Sequence, residues 1–165
     1  MDKLEITPEH RWLHKFLGDW EYEGSFPGGP GNEGFSFKGS EHVRAVGDAW
    51  IQGEGSNDMG GENCTMIITL GYDTRRKAYV GTWIGSMMDH MFQYEGRVEP
   101  DGRTMVLEST GPCMMDPTKE RKYRDITEFK TDDHRAFRAE MLGDDGTWSP
   151  MMSFDMYRVG SKPHG

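Results

Sequence analysis

The sequence predicts an all-β fold: an antiparallel up-and-down barrel of about ten strands, with an N-terminal helix plugging one end. Three observations carry this. Only the stretch from Thr7 to Leu17 has helical periodicity, and beyond it apolar and polar residues alternate with period two. The alternating segments are short and bounded by Gly, Pro, Asp or Asn, so each can pair with the next. A meander that long must curl and close to avoid open edges, which favours a barrel over a sandwich.

The elements follow in order. Thr7 can cap a helix, Pro8 suits its first turn, and Trp12, Leu13, Phe16 and Leu17 share one side before Gly18 ends it. Strands are expected at 19–26, 34–46, 49–57, 63–72, 77–87, 90–99, 103–110, 121–130, 134–142 and 151–159. FPGGPGNEG at 26–34 is a loop, and GSKPHG at 160–165 reads as a frayed tail. Residues 1–165 are thus expected to form one domain, with helix 7–17, barrel 18–159 and tail 160–165. A chain of this length buries roughly 70% of its unfolded surface, enough for one well-formed core.

Alternation assigns the faces. Trp20, Tyr22, Gly24 and Phe26 point inward on the first strand, and Phe35, Phe37, Gly39, Glu41, Val43 and Ala45 on the second. Further inward rows are Cys64, Met66, Ile68 and Leu70, then Phe137, Ala139 and Met141, then Met152, Phe154 and Met156. Glu41 is the polar exception in its row.

Parity also sorts the loops. Those after even-numbered strands are tight and charged: VGDA at 46–49, YDTRRK at 72–77, EPDGR at 99–103 and TDDHR at 131–135. Those after odd-numbered strands are mostly longer and hold Met59, Met87, Met88, Met91, Cys113, Met114, Met115, Trp148, Met151 and Met152. These residues gather on one rim, while the helix leading into the first strand falls at the opposite end.

The net charge of −9 and pI near 5.1 argue against a nucleic-acid or anionic-membrane partner, because the basic runs RRK at 75–77 and KERKYR at 119–124 read as solvated turn and strand faces. MDKLEITPEH lacks the features of a secretory signal and no apolar run reaches membrane-spanning length, so a cytoplasmic protein is expected. Cys64 and Cys113 are the two cysteines, without CxxC spacing, and are read as free thiols.

Gly18 and Trp20 in LGDW, with Arg158 in DMYRV, resemble the glycine-x-tryptophan signature and late basic residue of lipocalin-like barrels, the calycin superfamily. The resemblance implies that Arg158 packs over Trp20, a cation–π contact of about 0.5 to 2 kcal/mol. The span from LGDWEYEG through TLGYDTRRKAYVGTWIGSM, FQYEGRVEPDG and YRDITEF to MSFDMYRV resembles the bacterial family known as domain of unknown function 1579. That implies a barrel of calycin type and brings no activity with it. The related haem barrel nitrobindin uses a late histidine as its iron ligand. Here the last strand has none and His164 lies in the tail, so no haem or other cofactor is expected.

The expected function is to bind a small apolar or mixed-polarity molecule in an apolar cavity behind an adaptable methionine-rich rim. Tyr22, Glu41, Tyr94, Tyr123 and Asp125 are the inward polar residues and His90 sits at the rim; Trp83, Phe92, Met88, Met114 and Met152 supply apolar contact. The bland reading of each tyrosine is a core aromatic, and of each acid a structural bond to an inward Arg or a backbone turn. Two alternatives stay open. Glu41 and Asp125, desolvated in a barrel, suit general acid or base catalysis, although no nucleophile motif accompanies them. The methionines, histidine and cysteine of GSMMDHM and the neighbouring loops are soft enough for copper(I), yet no metal site is expected, because methionine more commonly fills irregular apolar space. The rim also suits a homo-oligomer interface.

Overall fold

A computed structural model describes residues 3–26, 34–59, 61–113 and 115–161. An N-terminal α1 (Pro8–Trp12) leads into ten strands: β1 (Gly18–Phe26), β2 (Phe35–Val46), β3 (Trp50–Met59), β4 (Glu62–Asp73), β5 (Ala78–Gly85), β6 (Phe92–Val98), β7 (Thr104–Pro112), β8 (Glu120–Thr131), β9 (His134–Leu142) and β10 (Trp148–Arg158). Each strand pairs antiparallel with the next, and β10 pairs back onto β1, closing the barrel. Among the described strands no edge is left open, which answers the demand that a ten-strand meander makes.

The helical stretch expected over 7–17 is shorter. A single α-helical turn and a half ends at Trp12 and tightens into a 3-10 turn at Leu13–Phe16, the usual way a short helix finishes when the chain must change direction. Thr7 caps it, its hydroxyl accepting from the His10 N–H at 3.3 Å while the Thr7 N–H donates to His10 Nδ1 at 3.0 Å. Leu13 is fully buried and Phe16 nearly so. The segment docks on the even-numbered turns: His10 Nε2 meets the Tyr72 carbonyl at 3.1 Å, His14 Nε2 the Asp48 carbonyl at 3.0 Å, and Trp12 Nε1 the Gly102 carbonyl at 2.7 Å. The buried apolar face and these bonds hold the helix as a plug at that end.

β10 starts at Trp148, before the start expected at 151, so Trp148 belongs to the strand and not only to the preceding loop. Pro150 has no N–H for a ladder, and a break of register between Pro150 and Met152 lets the strand continue past it. Met152 is thereby set beside Ala139 on the inner face. Most of the 26–34 loop, Gly60, Met114 and residues 162–165 lie outside the described residues, whereas Ser161 is held by its hydroxyl donating to the Arg158 carbonyl at 2.6 Å.

Candidate functional site

The inner face divides into three levels. At the plugged end Trp20 is completely buried and donates from Nε1 to the Phe16 carbonyl at 2.8 Å. The Arg158 guanidinium lies 4.4 Å from its ring centre and that of Arg135 4.6 Å, with Arg135 also 4.9 Å from Phe16. Arg158 donates to the carbonyls of Leu17 at 2.5 Å and Asp132 at 3.0 Å and to Asp133 Oδ1 at 3.0 Å. It therefore joins the plug, the last strand and the β8–β9 turn.

Glu41 is held at this same level. Its Oε1 accepts from Arg135 Nη2 at 2.5 Å, and the Arg135 side chain is 6% exposed against 17% for that of Glu41. Arg135 Nε is the one fully buried side-chain polar atom without a partner among the described residues. Arg135 escaped the sequence reading because it lies in the charged run TDDHR. Extending the inward row of Phe137, Ala139 and Met141 back by two residues would have found it.

Two aromatic sets line the walls above. On β1, β2, β9 and β10, Phe154 stacks on Tyr22 with centroids 4.8 Å apart and lies 4.9 Å from Phe137 and 5.7 Å from Phe37. On β5, β6 and β8, Phe92 lies 6.0 Å from Trp83, 5.7 Å from Tyr123 and 4.6 Å from the His90 ring that precedes its strand. Gly111 on β7 makes the second set possible, since a Cβ there would run into the Phe92 ring. Among the described residues no ring contact joins one set to the other.

The tyrosine hydroxyls are engaged. Tyr22 donates to Asn57 Oδ1, a partner the sequence did not single out, and Tyr123 donates to the Pro112 carbonyl at 2.6 Å. Burial, and then the charge of Glu41, hold the Tyr22 phenol well above its ordinary pKa, with Arg135 and Asn57 opposing. Tyr94 donates to Asp125 Oδ2 at 2.5 Å; burial first, then the Asp125 charge and this bond, push its pKa up as well. Burial also pushes the Asp125 carboxyl up to about 6, against the lowering effect of the Tyr94 bond.

Asp125 is half-buried although it points inward between Leu107 and Ala139. Its Oδ1 accepts no hydrogen bond among the described residues and does not belong with the fully buried unpartnered atoms, so it keeps accessible surface. Met66, Ile68, Trp83, Phe92, Met141 and Met152 also stay partly accessible while facing inward.

The odd-numbered connections lie together at the far end, by the parity of the closed meander. Met87 and Met91 are exposed there, Met88 is half-buried, Met115 is 90% exposed, and His90 Nε2 contacts the Thr110 carbonyl at 3.3 Å. Met114 lies outside the described residues. Cys64 and Cys113 are buried free thiols, and no group of three or more His, Cys, Asp or Glu among the described residues is placed to hold a metal. Two grooves, of about 560 and 320 Å³, run along the two sides of the β1 segment Glu23–Ser25. They are lined largely by outward residues such as Ser36, Lys38, Arg138 and Ser153, so neither is the barrel interior.

Among the described residues no helix is long and apolar enough to cross a membrane. Among solved structures, that of Rv2717c from M. tuberculosis is similar at 13% identity over 93% of this chain and 99% of that one, with a TM-score of 0.63. The S-type phycobiliprotein lyase CPES from Guillardia theta is similar at 14% identity over 92% of both chains, with a TM-score of 0.56. At these identities the likeness is one of fold. No curated protein matches the sequence significantly. The family model described as "Protein of unknown function (DUF1579)" matches residues 5–158, almost the whole barrel with its plug, and the chain belongs to that family.

Proposed function

We propose that this protein binds a small, largely apolar molecule inside the barrel, admitted through the methionine-bearing end. One observation supports this above the others: Trp83, Phe92, Asp125, Met141 and Met152 face inward yet stay partly accessible, while the other end is plugged around a fully buried Leu13. Apolar side chains that remain accessible on the inside of a closed wall border a space, and an apolar space with a few polar groups is what small ligands use. Binding at the rim would draw on the adaptability of exposed Met87 and Met91.

Titration with the neutral fluorophore N-phenyl-1-naphthylamine tests this. Saturable one-to-one binding is expected, and Ala139→Trp, which fills the middle of the interior, is expected to abolish it while leaving the circular dichroism spectrum unchanged. Absence of saturable binding to the wild-type protein would overturn the reading.

A further inference from the structure

The interior is unevenly equipped. Its apolar lining comprises two aromatic sets on opposite arcs of the barrel, Phe154 with Tyr22, Phe37 and Phe137, and Phe92 with Trp83 and Tyr123. Aromatic and methionine surfaces suit the faces of a flat ring system, and aromatic faces attract a delocalised cation. Among the polar groups, the phenol of Tyr22 is spent on Asn57, that of Tyr123 on Pro112 and that of Tyr94 on Asp125, and Glu41 is tied to Arg135. Asp125 is thus the interior carboxylate with no cation paired to it, and its Oδ1 accepts no hydrogen bond among the described residues. A carboxylate oxygen accepts hydrogen bonds and cannot donate one when ionised.

We propose that the interior takes a flat aromatic or heteroaromatic cation, such as a ring amine or amidine, whose N–H donates to Asp125 Oδ1 while its ring lies between the two aromatic sets. This rests on the open interior argued above and adds the chemical class of the ligand.

The surroundings favour that class over an anion. Tyr94 on β6 is the titratable group bonded to Asp125, and Tyr123 shares its strand. Its partners across the ladder are Leu107 on β7 and Ala139 on β9, neither of which carries charge. The next charges on the inward rows are Arg121, four residues toward the rim on the strand of Asp125 and paired with Asp144, and then Arg135 and Glu41. Arg135 lies four residues toward the plug from Ala139, about 13 Å along the strand, and the two neutralise one another. With its carboxyl pushed up to about 6, Asp125 is ionised at neutral pH and loses its charge just below. A cation would bind the ionised form.

The test compares two probes of similar size by fluorescence: 9-aminoacridine, which stays cationic from pH 5 to 8, and neutral N-phenyl-1-naphthylamine. Wild-type protein is expected to bind both at pH 7.5, and Asp125→Asn to weaken 9-aminoacridine roughly tenfold more than it weakens the neutral probe, the worth of a charge-assisted hydrogen bond. On the wild-type protein, where no substitution can disturb folding, affinity for 9-aminoacridine is expected to fall between pH 7.5 and 5 with that for the neutral probe constant. If both probes bind but neither the substitution nor pH separates them, the cation assignment is overturned and the open interior stands. If neither probe binds, both fall.

Discussion

Arg135 on β9 and Glu41 on β2 meet as a buried ion pair, Nη2 to Oε1 at 2.5 Å, across two intervening strands of the closed barrel. The Arg135 side chain is nearly inaccessible, and its Nε has no partner among the described residues. Taking two charges out of water costs several kcal/mol each, and the pair is tolerable only while both members are present. Glu41→Gln is therefore expected to destabilise the protein by about 3 to 5 kcal/mol, because it strands the cation. The double substitution Glu41→Leu with Arg135→Met is expected to cost much less than the two single changes together. Urea denaturation of the four proteins measures the coupling. A Glu41→Gln variant within about 1 kcal/mol of wild type would show that the pair contributes little.

Gly18 stands where the plug turns into β1, at a φ of +118°, and a Cβ there would fall 2.5 Å from Arg158 Nη1. Gly18→Ala meets both a backbone conformation that L residues avoid and the guanidinium over Trp20, and is expected to cost on the order of 1 to 3 kcal/mol. The displaced Arg158 should also alter the emission of the buried indole. Thermal denaturation followed by tryptophan fluorescence reads both, and unchanged emission would mean that Arg158 moves away without disturbing Trp20.

Asp125 makes stability depend on pH in a defined direction. Its carboxyl is raised from 3.8 to about 6 on folding, so between those values the folded state holds a proton that the unfolded chain has released. Its contribution is fullest below about pH 4 and is lost as pH rises through about 6, a change on the order of 2 to 3 kcal/mol. The difference in urea stability between wild type and Asp125→Asn should accordingly shift in favour of the variant from pH 4 to pH 7.5. A difference independent of pH would mean that Asp125 has an ordinary carboxylate pKa in the folded protein.

Strand boundaries and faces were legible because period-two alternation survives wherever one side of a sheet is buried. Trp20, Tyr22, Phe37, Leu70 and Met156 all sit in the core that this rule assigns them to. The plug could be placed at the end opposite the methionine loops from strand parity alone. Arg135 could not be recognised from its neighbours, because a charged residue beside TDD looks like part of a solvated turn until its row is counted across the ladder. The start of β10 was misplaced for a related reason: Pro150 signals a loop in sequence, and only the pairing of Trp148 with Leu142 shows the strand running past it. The distinction between Glu41 and Asp125 was equally out of reach. Both are acids among inward apolar residues, and which one is neutralised depends on what the opposite wall presents.

The seam between β1 and β10 has a consequence for how the molecule can be assembled. It pairs Trp20 with Arg158, so the cylinder cannot shut until the final strand has been synthesised and delivered back to the first. Until then β1 and β9 both present bare hydrogen-bonding edges, and a nascent or truncated chain lacking β10 would expose two adhesive ribbons at once. Release of the last strand then decides whether this chain closes into a cylinder or sticks to its neighbours.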